Sequence, residues 1–347
     1  MNSLKVLESY PRVKVALLPT PVHPLEHFSK KFDDLEIWMK RDDLTGLEGG
    51  GNKTRKLEFL VADALNKGAD TLVTIGAIQS NHTRQTAAFA AKVGMKCSLM
   101  HYGWTKDAGP NYRNVGNILL SSIIGADLYL DDTPRPIEDQ GPLNEFCTYL
   151  ERSGRKPYLI PGGASEHPLG SLGYFNCAFE IIKQCEELNV KFDYVVHCTG
   201  SSSTQAGLVA GFKAVGEDIK VIGMADDDET LIKKSRVKQL ANDTLEMLGL
   251  DVEVTDQDVE IVAGDDSVYG KSDDATFLGI KMLAESEGLI CDPVYEGKAI
   301  RGLRELAAKG RFEKGSKILL MHLGGSPAVH AYANQFEKIN FITDYDL

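Results

Sequence analysis

Gly49-Gly-Gly-Asn-Lys-Thr-Arg-Lys-Leu-Glu-Phe59 joins three consecutive glycines to the start of an amphipathic pattern. Glycine reaches positive φ without steric cost and lets backbone approach a ligand closely, so the run predicts a tight turn. The residues after it predict a helix, with Lys53 near its N-terminus. The helix dipole disfavours positive charge there and helps keep an amine neutral. A neutral, positioned amine is what imine chemistry with a carbonyl cofactor needs. A solvated lysine after a flexible loop is the other reading of this segment taken alone.

Outward from this turn, apolar runs of strand length alternate with segments of helical period, the pattern of an α/β fold with mainly parallel sheets. Strands are expected at Ile37 to Lys40, Thr71 to Gly76, Lys96 to His101, Asp127 to Leu130 and Pro157 to Ile160. Helices are expected at Asn81 to Val93, Val115 to Ile124 and Leu143 to Arg152. Beyond Pro161-Gly-Gly-Ala-Ser-Glu come helices near 170 to 187, 204 to 214, 230 to 248 and 273 to 287. Strands fall at Tyr194 to His197, Val221 to Met224 and Lys317 to His322. The expected organisation is a small domain, residues 55–165, inserted in a larger one made of 1–54 and 166–347.

The chain has 347 residues, enough for one large or two ordinary domains. A net charge of -12 leaves no basic footprint for nucleic acid or an anionic membrane. The six cysteines show no Cys-x-x-Cys and no framework spacing, so reduced thiols in a cytoplasmic protein are expected, and no metal. Neither a signal peptide nor an apolar run of membrane-spanning length is evident.

Thr199-Gly-Ser-Ser-Ser-Thr-Gln-Ala-Gly207 follows an apolar strand and opens a helix. Free N–H groups at a helix start, small residues and several hydroxyls together suit a phosphate. Neither the nucleotide P-loop nor the dinucleotide fingerprint is present, and a plain capping turn is the alternative. Ser80-Asn81-His82-Thr83 repeats the geometry, where a substrate carboxylate fits. Asp292-Pro-Val-Tyr-Glu-Gly-Lys298 sets an aromatic and a carboxylate before a helix, and His322-Leu-Gly-Gly-Ser-Pro327 follows a buried strand. Tyr269 and Trp104 sit in loops, where each alone reads as packing.

Together these segments resemble the 1-aminocyclopropane-1-carboxylate (ACC) deaminase and D-cysteine desulfhydrase family of pyridoxal 5'-phosphate enzymes, of the tryptophan synthase β-like fold type II. The resemblance spans nearly the whole chain. It is carried by Lys40-Arg-Asp-Asp43, Gly50-Gly-Asn-Lys-Thr-Arg-Lys-Leu-Glu58, Gln79-Ser-Asn-His-Thr-Arg84, Thr204-Gln-Ala-Gly207, Asp292-Pro-Val-Tyr295 and Leu323-Gly-Gly325. It implies that Lys53 holds the cofactor covalently, Asn81 bonds its 3-oxygen, and Thr199, Gly200, Ser201, Ser202, Ser203 and Thr204 hold its phosphate. Tyr295, Glu296 and Leu323 complete the cofactor site. Ser80, Asn81, His82, Trp104 and Tyr269 would face a small amino-acid substrate, with Ser80, Tyr269 and Tyr295 joining Lys53 in catalysis. A small domain closing over a larger one, in a homodimer or larger assembly, is also implied.

Within that family the motifs conflict. Glu296 and Leu323 match ring-opening deaminases, where desulfhydrases and the similar cysteate sulfo-lyases have a hydroxyl residue and Thr. A carboxylate at the pyridine nitrogen favours its protonated form and strengthens the electron sink, which suits a substrate without an α-hydrogen. Trp104, Tyr269 and Tyr295 are deaminase-like too. Against this, the phosphate loop has the desulfhydrase form, with Ser202 where deaminases have Gly. His82 replaces a frequent Gln, and Lys271-Ser-Asp replaces a Pro-rich segment. Ring opening to 2-oxobutanoate and ammonia is the first expectation. The alternatives are β-elimination to pyruvate with sulfide or sulfite, and a non-catalytic cofactor-binding homologue.

Overall fold

β-strands buried at every position need helices on both faces of their sheet, and Thr71–Ala77 and Tyr194–Thr199 are such strands. The computed structural model describes residues 2–105, 109–133, 139, 141–164, 167–226, 229–263, 269–336 and 341. The chain runs α1 (Asn2–Glu8), β1 (Val22–Pro24), α2 (Glu26–Ser29), β2 (Glu36–Arg41), α3 (Asn52–Asn66), β3 (Thr71–Ala77), α4 (Asn81–Val93), β4 (Lys96–Tyr102), α5 (Asn117–Ile123), β5 (Asp127–Asp131), α6 (Gly141–Arg152) and β6 (Pro157–Leu159). It continues through α7 (Pro168–Leu188), β7 (Tyr194–Thr199), α8 (Ser203–Val215), β8 (Lys220–Ala225), α9 (Thr230–Met247), β9 (Glu260–Val262), α10 (Asp274–Glu287), α11 (Glu296–Ala308) and β10 (Lys317–His322).

Six strands form one sheet in the order β1-β2-β10-β7-β8-β9, and four form another in the order β5-β4-β3-β6. Among the described residues only the β1–β2 pair is antiparallel. Side chains of β10 alternate between two cores, as strand period requires. Leu319 and Met321 pack with Phe175, Leu208 and Val237 of α7, α8 and α9 on one face. Ile318 and Leu320 pack with Ile280, Leu283 and Leu303 of α10 and α11 on the other. The small sheet is covered likewise, by Leu60 and Phe89 of α3 and α4 on one face and by Leu143, Phe146 and Leu150 of α6 on the other.

The expected α/β architecture, with two mainly parallel sheets between helices, is present. The helix expected from Val115 begins instead at Asn117, because the carbonyls of Tyr112 and Val115 accept from Gln79 Nε2 in the approach to it. The short β1, α2 and β9 were not expected. The expected boundary at residues 165 and 166 lies outside the described residues.

Candidate active site

Parallel strands carry their ligand-binding loops at their carboxyl ends, and here both sheets do so. In the large sheet His322 of β10 lies in register with Arg41 of β2, and Thr199 of β7 with Ala225 of β8, so the loops after all four emerge together. In the small sheet Ala77 of β3 is in register with Tyr102 of β4, which brings Ser80 and Trp104 out on one edge.

The loop after β2 is the glycine turn. Gly50 has φ 55°, and a Cβ there would stand 1.8 Å from the Asp43 carbonyl oxygen, so only glycine fits. Asn52 then starts α3, its N–H donating to the Leu323 carbonyl at 2.9 Å and its Nδ2 to Thr204 Oγ1 at 3.1 Å. The glycine turn, the loop after β10 and the start of α8 are thereby tied together at the residue before Lys53.

Lys53 lies in the first turn of α3 and its Nζ donates to the Gly163 carbonyl and to Ser201 Oγ, each at 3.2 Å. Burial brings its pKa down from 10.5 to about 8, against smaller opposing effects of the Lys56 hydrogen bond, Asp226 and Cys198. The cause is burial, where the sequence had pointed to the helix start. One helical turn on, Lys56 is also buried and donates to Ser203 Oγ at 2.7 Å. Burial, then the neighbouring charge of Lys53, holds its pKa well below the ordinary lysine range. The sequence reading missed Lys56, although the i,i+3 spacing from Lys53 places both on one helix face.

The loop after β7 turns through Ser202, whose φ of 64° is left-handed, before α8 begins at Ser203. Thr199 Oγ1 and Ser202 Oγ are buried and have no hydrogen-bond partner among the described residues. Lys233 supports the loop, donating to the Gly200 carbonyl at 3.0 Å and to Asp226 Oδ1 at 2.9 Å.

Ser80 caps α4, its Oγ accepting from the Thr83 N–H at 3.3 Å, and Asn81 is the first helical residue. His82 is turned into the small sheet. Thr74 Oγ1 donates its only hydrogen to the Ile160 carbonyl, so it accepts from His82 Nε2 at 2.8 Å. That leaves Nδ1 without a partner among the described residues, and burial above all, with the nearby Lys53, keeps the ring neutral.

Leu323-Gly-Gly325 follows β10, its turn held by His322, whose Nδ1 accepts from the Gly324 N–H at 3.3 Å. A Cβ on Gly325 would stand 2.5 Å from Asp292 Oδ1 and 3.0 Å from Asn81 Nδ2, so the start of α4, the approach to α11 and the turn after β10 meet at this glycine. Asp292 accepts from the N–H groups of Val294 and Tyr295 at 3.0 Å and of Glu296 at 3.1 Å, which fixes the start of α11. Burial raises its pKa to about 6 despite these bonds. Burial, then the nearby charge of Asp292, pushes Glu296 well above the usual carboxylate range, against a hydrogen bond from the Leu323 backbone. The Tyr269 and Tyr295 hydroxyls are 2.5 Å apart, and Trp104 meets Tyr269 edge-on at 5.6 Å. Burial and Tyr269 hold Tyr295 far above the ordinary phenol range, so it stays protonated.

The family model described as pyridoxal-phosphate dependent enzyme matches residues 13–324. The chain belongs to this family, and it is a pyridoxal phosphate dependent enzyme of fold type II. It is 44% identical over 337 residues to a protein named 1-aminocyclopropane-1-carboxylate deaminase from Burkholderia cenocepacia, covering 96% of this chain and 99% of that one. A protein of the same name from Bradyrhizobium diazoefficiens is 43% identical over 336 residues, covering 96% and 100%. A crystal structure of an ACC deaminase homologue superposes with a TM-score of 0.86 at 38% identity, covering 96% of this chain and 98% of that chain.

The residues present fit the cofactor. The two unpartnered hydroxyls of Thr199 and Ser202 and the buried Lys56 suit a phosphate, whose negative charge would restore that amine's proton. Asn81 at the start of α4, its Nδ2 close beside Gly325, offers an amide to a polar substituent of the ring. A buried carboxyl at Glu296 suits a protonated ring nitrogen. Among the described residues no helix is long and apolar enough to cross a membrane.

Proposed function

We propose that the protein is an ACC deaminase, which opens the cyclopropane ring and, with one water, yields 2-oxobutanoate and ammonia. The buried Glu296 with Leu323 against it carries this reading, since it is the pair the resemblance ties to ring opening. When bound, pyridoxal phosphate supplies an electron sink conjugated to the substrate's amine. Glu296 deepens that sink by favouring a protonated ring nitrogen, which matters for a substrate with no α-hydrogen to remove. Lys53 would hold the cofactor covalently, and its buried Nζ is the group placed to take up and return a proton. Ser80 and the N–H groups at the start of α4 bind the substrate carboxylate. Tyr295 is kept protonated, so with Tyr269 it acts as a hydrogen-bond and proton donor at the reacting carbon rather than as a standing nucleophile. Trp104 packs edge-on against Tyr269 and shields this side from water. The unit of residues 55–165 is taken to close over the rest, in a cytoplasmic homodimer or larger assembly.

The test is product analysis of the purified protein with ACC, D-cysteine and L-cysteate in parallel. Ring opening predicts 2-oxobutanoate from ACC in excess over any pyruvate. Pyruvate with sulfide or sulfite, and no turnover of ACC, would overturn it and make the phosphate loop the better guide. Lys53→Ala should abolish both turnover and the visible absorption band, and a variant that kept that band would remove Lys53 from its role.

A further inference from the structure

Arg84 of α4 is fully buried, and a guanidinium can only donate. Its Nη1 donates to the Glu48 carbonyl, its Nη2 to the Gly50 carbonyl at 3.0 Å, and its Nε to Asn117 Oδ1 at 2.6 Å. The atom of Asn117 facing a donor-only group must be its oxygen, so its other end is nitrogen. That Nδ2 donates one hydrogen to the Gln79 carbonyl at 2.9 Å and the other to Asn81 Oδ1 at 2.7 Å. Asn81 therefore turns its oxygen toward Asn117 and its Nδ2 the other way, to the side of Gly325. Amide orientation follows from the bonding network rather than from shape, and here one arginine sets two amides in succession. Asn117 is locked further by its own N–H, which donates to Gln79 Oε1 at 2.9 Å.

We infer that Arg84 and Asn117 are positioning residues that present Asn81 as a hydrogen-bond donor to the cofactor's 3-oxygen and couple it to the glycine turn three residues before Lys53. The inference rests on the reading of Asn81 as the partner of that oxygen. A donor at the oxygen favours its anionic form, which absorbs in the visible. An acceptor there would disfavour it. The same guanidinium grips the carbonyls that shape the turn, so the covalent and the hydrogen-bonded ends of the ring are set by one side chain.

Asn117→Asp separates this role from packing. Its carboxylate still accepts from Arg84, now with charge pairing, but it has no hydrogen to give. Asn81 can meet it only by turning its amide over, which presents oxygen to the ring. The expected result is cofactor affinity, measured by absorbance titration, about tenfold weaker. The loaded protein should also show less visible absorbance relative to near-ultraviolet at fixed pH. Asn81→Ala should change the spectrum in the same direction, and the double variant Asn81→Ala with Asn117→Asp no further. Far-ultraviolet circular dichroism checks folding, and Asn117→Ser replaces Asn117→Asp if that variant does not fold. A wild-type spectrum and affinity in a folded Asn117 variant, with Asn81→Ala shifted, would overturn the relay and leave the Asn81 reading standing. Wild-type spectra in both would overturn the relay together with that reading. A wild type that binds no pyridoxal phosphate would instead overturn the cofactor's place here.

Discussion

Ser202 holds a side chain at φ 64°, in the left-handed region that costs a non-glycine residue about 1 kcal/mol. Its hydroxyl is buried and has no partner among the described residues, so neither backbone comfort nor internal bonding accounts for it. A phosphate oxygen at this loop would. Ser202→Gly is therefore expected to stabilise the cofactor-free protein by up to about 1 kcal/mol, reduced by glycine's greater freedom when unfolded. Cofactor binding should weaken severalfold, and the products should not change. Urea unfolding with and without pyridoxal phosphate checks this, and equal shifts in both would show that the hydroxyl does not meet the cofactor. At this scale Lys53, Asn81 and Tyr295, at the turns that open α3, α4 and α11, were singled out from the sequence as candidates. Lys56, Arg84 and Asn117 were not. A charged or polar residue inside a helix reads as solvent-facing until another element is known to cover it, and the covering residues lie far along the chain, Ser203 over Lys56 among them.

α3 carries Lys53 and owes its placement to a buried charge network one step further along it. Arg55 donates to both carboxylate oxygens of Asp42 at 2.8 Å and to both of Glu180 at 2.9 Å, which joins α3 to the end of β2 and to α7. Lys40 donates to Glu180 at 2.5 Å and Tyr174 to Asp42 at 2.6 Å. Removing one member of such a network strands the others, at a cost of roughly 3–5 kcal/mol. Arg55→Met should lower unfolding stability by that amount. Burial raises the carboxyls of Asp42 and Glu180, but Arg55 above all, with Lys40, outweighs it and leaves both below their ordinary 3.8 and 4.5. Carboxyls lowered in the fold contribute stability that is full above about pH 4.5 and lost as pH falls through their folded values. Without Arg55 that loss should begin at higher pH. Acid unfolding of both proteins measures the midpoint, and an unchanged midpoint in Arg55→Met would show that Arg55 does not govern these groups. The sequence made the elements legible because period and glycine are local. It did not reveal Lys40-Arg-Asp-Asp43 and Arg55 as one network, since the closing partners are Tyr174 and Glu180.

Across the whole molecule the strand alternation was legible, but strand order was not. β2 pairs with β10 across some 280 residues, Glu36 opposite Lys317, and no local pattern carries such a pairing. The result is two sheets with separate cores, joined by α3 and by loops that converge on one crevice. Asn81 belongs to the smaller sheet's side, and the phosphate loop and Glu296 to the larger, so a ligand held by all three bridges the units. A ligand bound only by the native state stabilises it by about 2.7 kcal/mol at a hundred times its Kd, about a hundredfold in an opening equilibrium. In the cofactor-free protein, amides of β3 and β4 should therefore exchange hydrogen faster than those of β7 and β10, which are held in the larger sheet. Saturating pyridoxal phosphate should slow β3 and β4 by one to two orders of magnitude and bring the two sets together. Hydrogen exchange read by mass spectrometry resolves these segments. Protection confined to the loop after β7, with β3 unchanged, would mean that the cofactor rests on the larger unit alone and that Asn81 is not part of its site.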